Sequence, residues 1–272
     1  VHNHAGVVNM QVSHEGKRRR KHRAALVTKT VSKSVFETPN VKHAVWGIAL
    51  VLTLWTLFSS IQSSRAHYHF QHAKNGLAAF AAGDFSQQQA VIKAAKNAID
   101  IDPDRANYHE TLGSLYEYLA LNVIAEKHKD KDTIMVQRQW LDLAYSHYQS
   151  AAGLRPYWPV TQANLGMIRW RQNTIDEQLF THITNAHRLG RMKAEVHEFI
   201  VQIGGALYLS QHPYFMEQQA MFVHHLSNGI RNPQSRKVIL KYIATTNIKS
   251  DVCGWLKQDE HSQKHLKCVK NV

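Results

Sequence analysis

Hydrophobic and polar positions divide the chain into stretches of different pattern. Residues 1–40 are polar, with Ser, Thr, Asn and Lys interspersed and no sustained apolar periodicity. Too little apolar surface is available there to offset the entropy of ordering, so this stretch is predicted to be disordered. From Ala44 to Ile61 the sequence AVWGIALVLTLWTLFSSI carries no charge. Beyond Arg65, apolar residues recur at helical spacing in segments separated by Gly and Pro. Breaks are expected near Gly83-Asp84, Asp102-Pro103, Pro156 to Pro159, Gly190, Pro213 and Pro233. No segment alternates with period two between hairpin turns, so the expected class is all-α.

The uncharged run has the length of a membrane helix. Eighteen residues at 1.5 Å each span roughly 27 Å, near the thin end of a bilayer's hydrocarbon core. Its Val, Ile, Leu and Phe side chains favour insertion by on the order of 4 kcal/mol before the Ser and Thr penalties. Trp46 lies one turn inside its start, where an interfacial anchor sits. A buried core helix is the competing reading. A cleaved signal peptide fits less well, because 43 residues precede or open the run and no A-x-A site follows it.

Charge sharpens this picture. The chain has 272 residues and a formal net charge of +13. Of its 33 Lys and Arg, nine lie in residues 1–43, mostly in Lys17-Arg-Arg-Arg-Lys-His-Arg23. A basic block beside an apolar span is predicted to hold the N-terminus in the cytoplasm and to touch anionic lipid. That explains it better than nucleic-acid binding. The rest of the chain is only mildly basic, which fits acidic polysaccharide or lipid nearby without pointing to either. The expected organisation is a basic tail (1–42), a transmembrane helix (43–64), a periplasmic helical domain (65–250) and a polar C-terminal tail (251–272).

Within the helical domain a repeat is visible. Leu112-Gly113-x-x-Tyr116 recurs as Leu165-Gly166, and Asp102-Pro103 recurs as Arg155-Pro156, both at a distance of 53. Ala144, Tyr148 and Ala151 precede Pro156 by 12, 8 and 5 residues, and Ala98 precedes Pro103 by 5. Small residues let paired helices approach, a neighbouring aromatic fills the groove, and Pro ends the second helix. This is tetratricopeptide-like spacing with a 19-residue insertion at the charged run 126–132. Helices over 175–189, 192–210, 214–229 and 233–246 lack the signature and are expected to continue the stack.

The runs Ala98-Ile-Asp-Ile-Asp-Pro103, Tyr108-His-Glu-Thr-Leu-Gly113 and Leu154-Arg-Pro-Tyr-Trp-Pro-Val-Thr-Gln-Ala-Asn-Leu165 carry a family likeness. From about Ala98 to Trp255 the chain resembles the VpsP family of polysaccharide biosynthesis proteins. The resemblance implies an accessory component encoded with exopolysaccharide or capsule machinery in marine Gram-negative bacteria, with no active site to carry over. It marks Arg155, Pro156, Tyr157, Trp158, Pro159 and Asn164 as motif residues and candidate contacts.

Chemistry-bearing motifs are sparse. The sequence has no phosphate-binding loop, dinucleotide fingerprint, nucleophile elbow or C-x-x-C. His109-Glu110 and His197-Glu198 begin H-E-x-x-H, but positions 113 and 201 are Gly and Val. No metal or cofactor is expected. The 19 histidines are read mainly as solvated, with a charge near pH 6 that would modulate binding to acidic polymers. His224 and His225, as helix neighbours, are expected to diverge. Arg155, Tyr157 and Trp158 with Trp170 and Arg171 would suit sugar stacking. Packing of Trp158 between helices, with the prolines shaping the turn, is the more economical reading. Cys253 and Cys268 fall on the oxidising side of the anchor, and their disulfide would contribute roughly 3 kcal/mol.

Three functions follow. The leading expectation is a non-enzymatic, inner-membrane-anchored scaffold that holds protein components of a polysaccharide synthesis or export complex on its helical surface. The second is an assembly factor for a pilus or secretion system. The third, a glycan-modifying enzyme, would need Glu110, Glu117, Asp142, Glu195 or Glu198 to converge in a pocket.

Overall fold

A computed structural model describes residues 39–125 and 131–268, and among these every regular element is a helix. The first, α1 (Pro39–Ala81), runs unbroken for 43 residues, about 64 Å at 1.5 Å per residue. The chain divides into two compact units at Ile61/Gln62. In the first unit, α1 is long and apolar enough to cross a membrane. Its large side chains there are exposed along its length, Trp46 to 74% and Trp55 to 68%. The basic tail lies outside the described residues up to residue 38. The expected border at 64/65 is not a helix end, because no Pro or Gly interrupts the backbone between Gly47 and Gly76.

The second unit is built from helical hairpins. Its helices are the C-terminal part of α1, then α2 (Gln88–Ile101), α3 (Ala106–Ala125), α4 (Lys131–Leu154) and α5 (Pro159–Arg171). They continue as α6 (Glu177–Leu189), α7 (Ala194–Leu209), α8 (Pro213–Arg231) and α9 (Pro233–Thr246). Two short helices follow, α10 (Lys249–Trp255) and α11 (Glu260–Leu266). From α2 onward each packs on its neighbour in sequence, α5 with α7 and α7 with α9 pack one step further on, and Val91 of α2 lies against Gly76 of α1. Every expected break falls between helices. Pro159, Pro213 and Pro233 occupy first-turn positions, where a missing N–H costs nothing.

The packing has a recurring register. On α4, Ala144, Tyr148 and Ala151 are fully buried. Val91, Ala95 and Ala98 hold the same offsets on α2, and Leu179, Ile183 and Ala186 hold them on α6, all buried. The backbone after each triplet closes alike: Asp102, Arg155 and Gly190 N–H groups donate to the carbonyls of Ala98, Ala151 and Ala186. The opposite turns also match. Gly83, Asn173 and Gln211 take left-handed φ angles of 86°, 55° and 54°, and the following N–H reaches back five residues in each case. Leu112, Gly113 and Tyr116 are buried on α3 beside Tyr148. Gly113 is needed there, since a Cβ would sit 3.0 Å from the Tyr148 ring.

The C-terminal stretch departs from the expected polar tail. Residues 249–266 form α10 and α11, because Val252, Leu256 and Leu266 bury themselves against Ile230, Ile239 and Ile243. Asp259 caps α11 through the Ser262 N–H and also accepts from Ser227 and Arg231 of α8. Burial works against its charge, but these hydrogen bonds win and hold its carboxyl well below the usual range. A disulfide joins Cys253 to Cys268, with Cα atoms 5.8 Å apart.

Candidate interaction site

The motif 155–159 forms the turn from α4 to α5. Pro156 stops α4, Trp158 enters α5 in an extended conformation, and Pro159 opens the helix. Glu110 on α3 ties the turn down. One of its carboxylate oxygens pairs with the Arg155 guanidinium, and the other accepts from the Thr161 hydroxyl. The next turn comes close, for a Cβ on Gly190 would lie 2.6 Å from Pro159. Lys193 therefore reaches the indole of Trp158, with Nζ 5.2 Å from the ring centroid, while Arg155 Cζ lies 5.1 Å from it. Tyr157 projects outward, 79% exposed, and Met192 beside Lys193 is 73% exposed. Asn164 is half-buried on α5.

The five aromatic and basic residues that would suit sugar stacking do not share one surface. Trp170 packs against the cluster around Phe199 and Ile200. Arg171, at the far end of α5, pairs with Glu117. Helical geometry separates them: Trp158 precedes α5 and Arg171 ends it, about 20 Å away along the axis. What assembles instead is Arg155, Trp158 and Lys193, with Tyr157 at the rim. No sequence motif singles out Lys193, because only the stacking of successive turns brings it to Trp158.

Three of the five acidic candidates are engaged by partners. Glu110 is engaged as described. Glu117 accepts from the Tyr148 hydroxyl at 2.7 Å and pairs with Arg171, whose pKa burial pushes down to about 10. Asp142 accepts from Gln172 at 2.7 Å. Glu195 and Glu198 share α7, where burial, then Glu195, raises the Glu198 carboxyl. Among the described residues, no three His, Cys, Asp or Glu side chains are grouped to hold a metal ion.

Several histidines are far from solvated. His225 is fully buried and His197 is 1% exposed. Their Nδ1 atoms lie 2.9 Å apart, and His225 Nε2 lies 2.9 Å from His187 Nδ1. In each contact one ring donates and the other accepts, which neutral imidazoles satisfy. Burial, followed by the neighbouring rings, pushes His225 far below its usual value and His197 down to about 4. Adjacent His224 stays at the surface, but its ring lies 5.3 Å from that of His225 and both rings meet His187, so the expected divergence appears in burial and not in separation.

Neither a protein-family model nor a curated protein matches the chain.

Proposed function

We propose that this chain is a non-enzymatic, membrane-anchored scaffold in exopolysaccharide synthesis or export. α1 would cross the inner membrane with its N-terminus in the cytoplasm, and the helical unit would stand in the periplasm. The recurring buried triplets on α2, α4 and α6, with matching turns at both hairpin ends, carry this reading. We read them as degenerate tetratricopeptide-like repeats, with the α3–α4 hairpin lengthened by insertion. Repeat arrays bind partners along extended surfaces and need no catalytic groups. The Cys253–Cys268 disulfide supports an oxidising compartment.

The turn bearing Arg155, Tyr157, Trp158 and Lys193 is the contact we assign to a protein component of the synthesis or export complex. Its exposed aromatic and cationic groups resemble the residues that dominate binding energy at interfaces. The test is crosslinking and co-purification from native membranes, with quantification of matrix polysaccharide after gene deletion. Capture of a polysaccharide synthase, polymerase or exporter, lost in Tyr157→Ala, is expected. Unaltered matrix after deletion would remove the reading, and capture of pilus or secretion components would replace it.

A further inference from the structure

A groove of about 450 Å³ opens between α2 and α4, floored by Leu119 of α3. That volume lies within the ~300–1,000 Å³ of small-ligand sites. No residue of the 155–158 turn lines it. One wall is the indole of Trp140, with Ile92 opposite. Trp140 is held by a ring column: it stacks on Tyr116 at 5.5 Å, Tyr116 stacks on His147 at 5.7 Å, and His147 meets His109 at 5.6 Å. One face of the Trp140 indole is committed to Tyr116, and the side chain also lines the groove.

The remaining wall is a single stripe of α2. Gln89, Lys93, Lys96 and Asp100 recur there at helical spacing, with Asn97 beside them. Lys93 and Lys96 line the groove, and among the described residues neither forms an ion pair. Two unpaired ammonium groups on one stripe repel each other and favour an anion between them. Asp100 limits how much negative charge the groove accepts, which disfavours a phosphate or polyphosphate. Its carboxylate, with the amides of Gln89 and Asn97, supplies paired acceptors and donors suited to vicinal hydroxyls. The free side of an indole suits the C–H face of a pyranose ring, because the aromatic face is electron-rich.

We propose that this groove binds a short acidic oligosaccharide, one carrying isolated carboxylates as a uronate chain does. Trp140 provides the stacking platform, Lys93 and Lys96 take the carboxylate, and Gln89, Asn97 and Asp100 hold hydroxyls. The assignment rests on the polysaccharide reading above and gives that reading a ligand class.

The experiment is calorimetric titration of the full chain in lipid nanodiscs with hexagalacturonate, and in parallel with maltohexaose and hexaglutamate. Hexagalacturonate is expected to bind at least about tenfold more tightly than either control, with an affinity that weakens as salt rises. Lys93→Gln with Lys96→Gln is expected to weaken it by about tenfold, and Trp140→Ala by a similar factor. The lysine variant breaks no ion pair among the described residues, so it reports on the site even if Trp140→Ala disturbs the ring column. No binding of hexagalacturonate, equal binding of hexaglutamate or maltohexaose, or unchanged affinity in the lysine variant would overturn the proposal. Altered matrix after gene deletion, with no uronate binding by the purified chain, would remove this groove's role and leave the scaffold reading standing.

Discussion

Two glycines in helix interiors show how a residue's surroundings decide the sign of one added methyl. Gly204 of α7 faces the Phe222 ring of α8, and a Cβ there would lie 2.3 Å from Cδ1 and 2.8 Å from Cγ. Phe222 is itself buried at 4% exposure and stacks on Phe215, so it has nowhere to retreat. Overpacking of this kind costs about 1–3 kcal/mol, more than the ~1 kcal/mol of helix propensity that Ala gains. Gly153 near the end of α4 is exposed, and a Cβ there would meet nothing within 4 Å. Gly204→Ala should therefore lower the urea midpoint of the full chain in micelles, while Gly153→Ala should raise it slightly. Equal effects from the two would contradict the packing. The Glu117–Arg171 pair makes a second residue-scale case. Removing Glu117 leaves a largely buried guanidinium uncompensated, so Glu117→Ala should cost about 3–5 kcal/mol. Adding Arg171→Met should recover most of it, and a double variant as unstable as the single one would show that the charge is not the cause.

At the scale of elements, the C-terminal pair α10–α11 depends on two ties: the Asp259 cap and the Cys253–Cys268 disulfide. Helices of seven residues are too short to persist alone. Cys253→Ser with Cys268→Ser should therefore cost roughly 3 kcal/mol and speed hydrogen exchange over 249–268 before the rest of the chain. Uniform exchange would show that the core contacts of Val252, Leu256 and Leu266 suffice. These two helices also show where local pattern stops being informative. Three buried apolar residues scattered among Lys, Gln, His and Asp make no readable period, so the stretch looks like a tail. By contrast, helix ends were legible, because Pro and Gly act locally. The α4 triplet was legible by its Ala and Tyr. Its counterpart on α6, Leu179, Ile183 and Ala186, shares spacing but only one letter. Glu110–Arg155 and the histidine chain were not legible at all, since their partners lie 28 to 45 residues apart and meet only once the hairpins stack.

At the scale of the folded unit, those histidines make stability depend on pH. His147, His182 and His197 are each pushed down to about 4, chiefly by burial, and His225 lower still. The charged or chargeable groups that face the His187–His225–His197 chain are Arg191 and His224, which oppose further positive charge. In the unfolded chain each ring titrates near 6.5. Below that pH the unfolded state binds more protons than the folded one, so stability falls as pH falls. The contribution is fully present above about pH 6.5 and is lost progressively toward pH 4. Asp176 and Asp259, whose carboxyls are held below their usual values, lose their contributions only below about pH 4, and Glu198, whose carboxyl is raised by burial, acts in the opposite direction, so the fall in stability within the window comes from the histidines. The fully buried pair alone, His197 and His225, should cost on the order of 4 kcal/mol between pH 7.5 and pH 5. That is a large share of a typical domain's ~5–15 kcal/mol. Urea midpoints of the full chain measured at pH 7.5, 6 and 5 should fall steeply, and His225→Gln should flatten the profile. A wild-type profile level from pH 7.5 to 5 would mean that the buried rings are charged in the folded state, or that the chain opens to let water reach them.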